Sequence, residues 1–331
     1  MNGGVHDEYI LNRLMQGGAV SGEALSRELG VSRAAVWKDV LHLREAGWHI
    51  DASPRVGYHL VSPEDGLLPM DVYAGLDTQR YGRTAEYHVE LDSTNVRAKQ
   101  WAQQGAPDGA LVVAETQTAG RGRLARKWIS PAGMGIYMSL IMKLNVPMQQ
   151  LARAMPAVPL GVCRGLSEFS DDAVRIKWPN DIVCAGRKVC GMLLEAQAGV
   201  DGVDWLIAGI GINAHQRIED FPPEVQATAA SIDMLTGRRC VRAEVLRAVL
   251  REIERCADMF ISGRGDALME EYSRASATLG RRVRVLAGDG EFEAEALRIA
   301  DDGALIVRLD DGAERAVYAG DVSVRGLMGY V

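Results

Sequence analysis

The stretch GRGRLARKW, from Gly120 to Trp128, places three arginines and one lysine among two glycines. Glycine lets backbone N–H groups approach an anion closely, and guanidinium groups hold phosphate or carboxylate oxygens in pairs. Apolar, strand-like runs flank the stretch at 109–115 and 135–142. We therefore predict a basic loop between two strands of an α+β domain, which orders around a phosphate-bearing ligand. A solvated loop or a nucleic-acid patch is the alternative.

The composition limits what the whole chain can do. Its 331 residues suffice for two or three domains, and its net charge is −7. An acidic balance excludes a protein coated in nucleic acid, so any such contact has to be local. Five scattered cysteines without a C-x-x-C pair indicate a cytoplasmic location, and neither a disulfide framework nor a structural zinc site. No apolar run approaches the length of a membrane span, so no membrane partner is expected.

The N-terminal segment has the pattern of three helices and a hairpin. Apolar residues recur at helical spacing in three stretches of residues 8–62. Ser21 and Ser32 stand where they would cap the second and third helices, and Gly30 breaks the chain between them. Alternation at residues 56–60 then predicts a returning strand. This order predicts a winged helix-turn-helix.

The outer face of the third helix is the candidate DNA-binding surface, because such helices touch base edges and phosphate with their N-terminal ends. The residues predicted to bind DNA are Ser32, Arg33, Trp37, Lys38 and, in the wing, Arg55. Residues 21–62 hold five basic and five acidic side chains, so charge does not decide the matter. A helical bundle used for packing or dimerisation is the alternative.

The rest of the chain divides by its periodicity. Residues 63–77 contain two prolines and two glycines and no clear period, which predicts a linker. We place the domains at 1–65, 66–276 and 277–331. The middle domain is predicted to be an α+β sheet with helices on one side. Its expected strands lie at 109–115, 135–142, 174–177, 188–195 and 205–211, and its expected helices at 149–169, restarted by two prolines, and 241–261.

The C-terminal segment changes to a period of two. Short strands are predicted at 283–285, 304–309 and 315–318. Turns that contain Gly288, Gly290, Gly303 and Gly312 separate these strands at roughly the spacing of a small β-barrel.

Three further motifs carry polar groups that suit a ligand. DSTN, Asp92 to Asn95, offers hydroxyls and an amide at a helix start, although a plain N-cap would look the same. KWPND places Lys177 to contact phosphate and Asp181 to hold Mg²⁺, and a structural turn with a buried Trp is the alternative. GRKVCG opens a strand with Lys188, and GIGIN puts glycines on alternate positions of a strand end, where a ligand could approach closely.

In this order, DSTN, QTAGRGR with RKW, KWPND, GRKVCG and GIGIN resemble the biotin–protein ligase family (biotin–[acetyl-CoA-carboxylase] ligase). With SGEALSRELGVSRAAVWKDV and the wing ahead of them, the chain is similar to the bifunctional type that is also the biotin operon repressor. The likeness covers essentially the whole chain. It implies a class II synthetase-like core, with a mixed sheet and helices, and a C-terminal SH3-like β-barrel.

The resemblance implies roles for the motif residues. The catalytic residues would be Arg121, Arg123, Lys177 and Lys188. Biotin would contact Ser93, Thr94, Asn95, Gln117, Arg121, Gly122, Arg123, Lys188, Gly191 and Gly209. ATP would contact Arg123, Trp128, Lys177, Asn180, Asn213 and Arg325, and Asp181 would hold the metal. The family commonly has Gly where Ala125 stands, a difference that would stiffen the loop.

The implied reaction uses ATP, Mg²⁺ and biotin to form biotinyl-5′-AMP, and then transfers biotin to a lysine of the apo biotin carboxyl carrier protein of acetyl-CoA carboxylase. Biotinyl-5′-AMP would also be the corepressor, which makes the chain a homodimer that binds biotin operator DNA. Neither step needs a Ser or Cys nucleophile.

Three alternatives remain open from the sequence. The chain could be a DNA-binding regulator that senses the adenylate without transferring biotin. It could attach lipoate or octanoate, although the complete QTAGRGR and KWPND set favours biotin. Finally, residues 1–62 could be a structural appendage of a ligase, since Trp37 is an unusual base reader.

Overall fold

The computed structural model describes residues 3–15, 17–45, 48–61, 65–199, 202–287, 290–318 and 323–326. The chain divides into two compact units, Met1–Gly75 and Leu76–Val331. This division falls inside the segment 63–77 that was expected to be the linker. Among the described residues, no helix is both long enough and apolar enough to cross a bilayer.

The first unit contains the three predicted helices and the hairpin. Its elements are α1 (Gly3–Met15), α2 (Gly22–Leu29), α3 (Arg33–Glu45), β1 (Ile50–Ser53) and β2 (Gly57–Leu60). The core side chains follow the predicted helical spacing: Ile10, Leu14, Leu25, Val36, Val40 and Leu43 are buried. Gly30 ends α2 with a φ of 67°, in the left-handed region that favours glycine. The helix-turn-helix prediction is confirmed.

Two details of the first unit differ from the prediction. Val56 lies in the turn before β2 and is 57% exposed, because the antiparallel ladder begins only at the Ser53–Gly57 pair. The expected linker also holds a short helix, α4 (Pro69–Tyr73), with Val72 buried. Pro at its first position and Asp71 in its first turn are ordinary helix-start signals that were overlooked.

The second unit is built on a mixed sheet, as predicted, with seven strands where five were expected. Its strands are β3 (Ala85–Leu91), β4 (Leu111–Gln117), β5 (Gly135–Met142), β6 (Val174–Lys177), β7 (Asp181–Cys184), β8 (Arg187–Ala198) and β9 (Val203–Asn213). The order across the sheet is β3-β4-β5-β9-β8-β7-β6, and only the β3–β4 pair is parallel. Strand β3 escaped the sequence analysis, because most of its residues are half-buried and show no alternation.

Helices cover this sheet and one another. They are α5 (Thr94–Gln103), α6 (Leu151–Ala154), α7 (Ala157–Ser167), α8 (Ile232–Thr236), α9 (Arg242–Ile261) and α10 (Gly265–Ala275). Ala98 and Ala102 of α5 pack on Val112, Ile141 and Ile207 of the sheet. The helix predicted at 149–169 restarts at Pro156, since α6 ends before it and α7 follows. The second proline, Pro159, lies in the first turn of α7 and does not interrupt it.

The contact between α7 and α9 depends on small side chains. A Cβ at Gly161 would lie 2.5 Å from the Ile253 Cα, and one at Gly165 would lie 2.7 Å from the Val249 Cα. Glycine at both positions lets the two helix backbones approach closely, so α9 is held firmly behind the sheet.

The C-terminal residues form a five-stranded antiparallel sheet. Its strands are β10 (Arg282–Ala287), β11 (Gly290–Ile299), β12 (Leu305–Arg308), β13 (Glu314–Val317) and β14 (Ser323–Gly326), in the order β13-β12-β11-β10-β14. Strand β11 was missed, because Gly290 was interpreted as part of a turn and in fact begins the strand. Gly288 lies outside the described residues.

Trp178 of KWPND joins the small sheet to the large one. Its side chain belongs to the core of the small sheet, with Val283, Val285 and Leu305. Its backbone N–H donates to Thr278 Oγ1 at 3.0 Å, and the Ala277 N–H donates to the Ile176 carbonyl at 2.7 Å. The packing of the C-terminal sheet therefore fixes the turn that carries Lys177 and Asp181.

A buried ion pair fastens the start of α9 to the sheet. Both guanidinium ends of Arg242 donate to the Glu115 carboxylate, at 2.9 and 3.1 Å, and Arg242 also donates to the Gly135 carbonyl. Arg242 is 2% exposed, so each member of the pair depends on the other for charge compensation.

Arg242→Ala is expected to lower the free energy of unfolding by about 3–5 kcal/mol, because it leaves the Glu115 carboxylate buried without its cation. Urea unfolding of the full chain measures this loss. Arg274→Ala, which removes an exposed helix ion pair with Glu270, is the matched control and should cost about 0.3–0.5 kcal/mol. Equal losses of unfolding free energy in the two variants would contradict the assignment of Arg242 and Glu115 as a buried, stabilising ion pair.

Candidate active site

A cavity of about 730 Å³ opens at one end of the large sheet. It brings together all the predicted biotin, ATP and metal residues of the second unit except Arg325: Ser93, Thr94, Asn95, Gln117, Arg121, Gly122, Arg123, Trp128, Lys177, Asn180, Asp181, Lys188, Gly191, Gly209 and Asn213. The start of α5, the ends of β4, β6 and β9, and the starts of β7 and β8 supply most of them. Arg325 lies on β14, where its backbone is paired with that of Arg284 on β10. The side chain of Arg325 lies outside the described part of the structure.

The basic loop is a small hairpin. The Trp128 N–H donates to the Gly120 carbonyl at 2.9 Å, and the Gly122 N–H donates to the Arg126 carbonyl at 2.7 Å. A Cβ at Gly120 would lie 2.5 Å from the Trp128 carbonyl oxygen, so the two arms can approach this closely only with glycine there. At the tip, Leu124 has a φ of 54°, a strained value for a side chain of its kind.

Positive charge is concentrated in the lining. The described lining residues include six cationic side chains and two anionic ones: Arg121, Arg123, Arg126, Lys127, Lys177 and Lys188 against Asp181 and Glu224. This excess stands out in a chain whose net charge is −7. A lining in which cationic side chains outnumber anionic ones attracts an anionic ligand.

Arg123 and Lys188 show how the cations are held. Arg123 Nη1 donates to Asn180 Oδ1 at 3.1 Å. Burial lowers the pKa of the Arg123 guanidinium below its ordinary value, and nearby Arg126 adds to this effect while Asp181 opposes it. Lys188 Nζ lies 2.6 Å from Asp181 Oδ1. Both cations are thus partly desolvated, which strengthens their attraction for an incoming anion.

Glycines make one wall of the cavity flat. Gly191 of β8 stands opposite Gly211 of β9, and the Trp128 indole lies over both. A Cβ at Gly211 would be 2.5 Å from the indole, and one at Gly191 would be 2.8 Å from it. Lys188 Nζ lies 5.3 Å from the Trp128 ring centroid, within reach of a cation–π contact. The facing glycines Gly191 and Gly211 therefore leave room for a planar ring against the sheet, and the Trp128 indole occupies that room.

The other end of the cavity is polar and neutral. Gln117 Oε1 accepts hydrogen bonds from the Thr94 N–H at 2.9 Å and the Thr94 hydroxyl at 3.2 Å. Gln117 Nε2 donates to Ser130 Oγ at 2.9 Å. Ser93 occupies the N-cap position of α5, but its side chain makes no capping hydrogen bond. The DSTN motif is therefore more than a plain N-cap, because its groups face the cavity.

Asn95 is held by residues that the sequence analysis missed. Its Nδ2 donates to Glu195 Oε2 at 2.8 Å and to the Leu193 carbonyl at 3.3 Å. Its Oδ1 lies 2.6 Å from the buried Ser139 hydroxyl, which also lies 2.8 Å from Thr94 Oγ1. Most of the hydrogen-bonding capacity of the Asn95 amide is thus used inside the protein.

A second group of lining residues also escaped prediction. It comes from the connection between β9 and α8 and comprises Phe221, Pro222, Glu224, Val225, Thr228 and Ala229. The connection contains only one turn of 3₁₀ helix, at Ile218–Asp220, before its bends and turns. Sequence periodicity carries no signal for such a segment.

Cys190 lies between two lining residues without being a candidate nucleophile. Burial raises the pKa of its thiol far above the ordinary value; Asp181 adds to this effect, and Lys188 opposes it. A thiol in this state remains protonated at neutral pH and is a poor nucleophile.

In the first unit, the predicted DNA-binding side chains are exposed. Arg33, Trp37 and Lys38 lie on α3, with Trp37 55% exposed, and Arg55 lies in the β1–β2 turn. The Ser32 hydroxyl accepts a hydrogen bond from the Ala35 N–H at 3.2 Å, so its capping role is present.

Comparison with known proteins agrees with this arrangement. Residues 88–213 match the biotin/lipoate A/B protein ligase family, residues 278–325 the biotin protein ligase C-terminal domain, and residues 7–59 a helix-turn-helix domain. The bifunctional ligase/repressor BirA of Bacillus subtilis is 35% identical over 305 residues, which are 92% of this chain and 94% of that protein. The chain belongs to the biotin protein ligase family. It also has the helix-turn-helix domain of a bifunctional ligase/repressor.

Two further relatives agree with this assignment of the ligase. The Escherichia coli ligase/repressor BirA is 28% identical over 322 residues, 96% of either chain. The biotin protein ligase of Aquifex aeolicus, solved in complex with biotin and ATP, aligns with a TM-score of 0.63 and 30% identity, over 74% of this chain and 99% of that one.

Gly209→Ala is expected to weaken biotin binding about tenfold or more, because the added methyl would lie 2.0 Å from Asn95 Oδ1 and displace the polar end of the cavity. Titration calorimetry measures the change. Gly265→Ala is the control, since a Cβ there would meet nothing nearer than 3.4 Å. Unchanged affinity in Gly209→Ala would contradict the placement of biotin in this part of the cavity.

Proposed function

We propose that this ligase forms biotinyl-5′-AMP from biotin and ATP, and transfers the biotin to a lysine of the apo biotin carboxyl carrier protein of acetyl-CoA carboxylase. The observation that carries the proposal is one cavity with a neutral polar end and a strongly cationic end. Biotin has a neutral ureido ring and an anionic carboxylate, so it suits both. A Mycobacterium tuberculosis relative named biotin–[acetyl-CoA-carboxylase] ligase, 32% identical over 72% of this chain, supports the choice of acceptor.

The polar end would bind the ureido ring. Ser93 and Thr94 offer hydroxyl groups, and Gln117 is already held by Thr94 and Ser130. Asn95 would act mainly by shaping this end, because Ser139 and Glu195 fix its amide. Gly209 makes room for the Asn95 amide and Gly191 for the Trp128 indole, so both glycines would shape the walls around the bicyclic ring.

The cationic end would hold the two anions that react. Arg121, Gly122, Arg123 and Lys188 would surround the biotin carboxylate and the α-phosphate. Lys177, Asn180, Asn213 and Arg325 would contact the nucleotide, and the Trp128 indole would stack with adenine. The partly desolvated state of Arg123 supports its place next to an anion.

Asp181 would hold Mg²⁺ together with ATP phosphates, since Mg²⁺ takes oxygen ligands and commonly uses one or two carboxylates plus phosphate. The cation would neutralise charge on the leaving pyrophosphate. Asp181 lines the cavity with its Oδ1 2.6 Å from Lys188 Nζ, so Mg²⁺ would take the place of the ammonium once Lys188 turns to the biotin carboxylate.

In the first step, a biotin carboxylate oxygen attacks the α-phosphorus, the new O–P bond forms, and the bond to the bridging oxygen breaks with release of pyrophosphate. The cations lower the repulsion between the two anions and stabilise the charge on the leaving group. In the second step, a lysine amine attacks the carbonyl carbon, AMP leaves, and the amine proton passes to solvent. The loop would close over the adenylate to exclude water.

We also propose that the first unit binds biotin operator DNA, as a homodimer when biotinyl-5′-AMP is bound, and represses biotin synthesis genes. Exposed Arg33, Lys38 and Arg55 would meet phosphates or base edges, and Trp37 would make an apolar contact in the groove. The names of the Bacillus subtilis and Escherichia coli relatives, which include a repressor function, support this proposal.

Transfer of labelled biotin to an apo-carrier domain tests the enzymatic proposal. Lys188→Ala should reduce adenylate formation about a hundredfold or more, because it removes a cation from the reacting anions. Lys143→Ala is the control. Lys143 directly follows Met142, at the other end of β5 from Gly135, and does not line the cavity. If Lys188→Ala forms the adenylate as fast as the control, the proposed role of the lysine is wrong. If the wild type transfers no biotin, the proposed ligase function is wrong.

A mobility shift with operator DNA, with and without biotin plus ATP, tests the repressor proposal. Binding should require the ligands, and Arg33→Ala and Lys38→Ala should each weaken it and flatten its salt dependence by about one unit of slope. Arg27→Ala on α2 is the control, because it removes an exposed arginine outside the proposed surface. Wild-type binding in both α3 variants would exclude this face.

A further inference from the structure

Lys188 is held by a segment that lies beside the start of β8. Its backbone N–H donates to the Thr228 carbonyl at 2.7 Å, and its carbonyl accepts from the Ala230 N–H at 2.9 Å. On its other side, Lys188 pairs with Val183 of β7. The backbone of this lysine is thus fixed from two sides, and one of them is the short segment 228–230 rather than a strand of the sheet.

Segment 228–230 is itself held near the last residue of β9 and the residues that follow it. Asn213 Nδ2 donates to the Ala230 carbonyl at 3.0 Å, and the Ser231 hydroxyl donates to the Gln216 carbonyl at 2.7 Å. All four of these residues are buried. The position of the segment therefore depends on how firmly it is joined to residues 213–216.

Asp233 adds three hydrogen-bonding contacts to this region. Its Oδ2 lies 2.7 Å from His215 Nδ1, and its Oδ1 accepts a hydrogen bond from the Cys240 N–H at 2.8 Å. Its own N–H donates to the Ala214 carbonyl at 3.0 Å. The His215 side chain is only 2% exposed, so its contact with Asp233 is shielded from water.

His215 carries the connection on to β5. Its backbone N–H donates to the carbonyl of Met134, the residue just before β5, at 2.8 Å. Asp233 therefore joins the end of β9, the start of α8 and the chain before α9, next to the segment that holds Lys188. A carboxylate with both oxygens hydrogen-bonded is a rigid support.

We propose that Asp233 and His215 are positioning residues for adenylate formation, which act by keeping Lys188 at the reacting anions. The proposal rests on the role of Lys188 proposed above. Loss of the pair would let segment 228–230 relax, and the backbone of Lys188 would move with it. A shift of about 1 Å at a reacting group can cost about a hundredfold in rate.

The test combines Asp233→Ala and His215→Ala with Lys188→Ala in the full chain. Each of the first two variants should lower biotin affinity and the rate of adenylate formation about ten- to a hundredfold, and the pair together should cost no more than one alone. In the Lys188→Ala background, Asp233→Ala should weaken biotin binding no further. Titration calorimetry gives the affinities, and pyrophosphate release gives the rates.

Two control variants distinguish a loss of positioning from a general loss of structure. Asp233→Asn keeps one oxygen to accept a hydrogen bond and should lie between the wild type and Asp233→Ala, which a failure to fold would not produce. His88→Ala removes a histidine–carboxylate contact of 3.3 Å to Glu86 on β3, away from the cavity, and should leave the rate unchanged.

The outcomes separate the two proposals. If the losses of biotin affinity in Asp233→Ala and Lys188→Ala multiply when the two changes are combined, the positioning role is wrong and the role of Lys188 stands. Wild-type affinity and rate in Asp233→Ala would have the same meaning. A wild-type rate in Lys188→Ala would overturn the proposed role of the lysine itself, and the positioning role with it.

Discussion

Repulsion between a carboxylate and a triphosphate is the constraint that the site has to meet. In water the two anions would be separately hydrated, and bringing them together would cost both hydration and Coulomb energy. Among the described residues, the lining of the cavity has six cationic side chains against two anionic ones, in a chain that is acidic overall. The arrangement is kept partly dry, since Lys177 is only 5% exposed and burial lowers the pKa of Arg123, so these charges act more strongly than they would at the surface.

The fold serves this cavity by placing rigid elements around a basic hairpin. Antiparallel β8 and β9 bring Gly191 and Gly211 opposite each other, which makes room for the indole of Trp128. Trp178 anchors the KWPND turn in the core of the C-terminal sheet, so the small sheet contributes to the geometry of the site from outside it. Cations held on fixed backbone need little reorganisation when charge develops in the reaction, and this is where electrostatic stabilisation is most effective.

Much of this could be predicted from the sequence, because the informative signals are local. The helices of the first unit, the long helix α9 and the buried strands β5 and β9 have clear periods or apolar runs, and the glycine and arginine motifs mark the cavity. The residues and strands that the sequence did not reveal share a different cause. Ser139 and Glu195 acquire their roles only when distant segments meet at Asn95, and the wall at 221–229 has no period to detect. Strand β3 pairs along a half-exposed edge, where alternation is weak.

Nucleotide affinity in the presence of charged or uncharged biotin tests the central claim most directly. Titration calorimetry would measure the binding of a non-hydrolysable ATP analogue to the ligase saturated with biotin or with its neutral carboxamide. The comparison would then be repeated in an Arg121→Gln, Arg123→Gln double variant. If cations shield the two anions from each other, the wild type binds the nucleotide equally well with either ligand, and the double variant binds it more weakly with charged biotin. Equal nucleotide affinity with both ligands in the double variant would contradict the account.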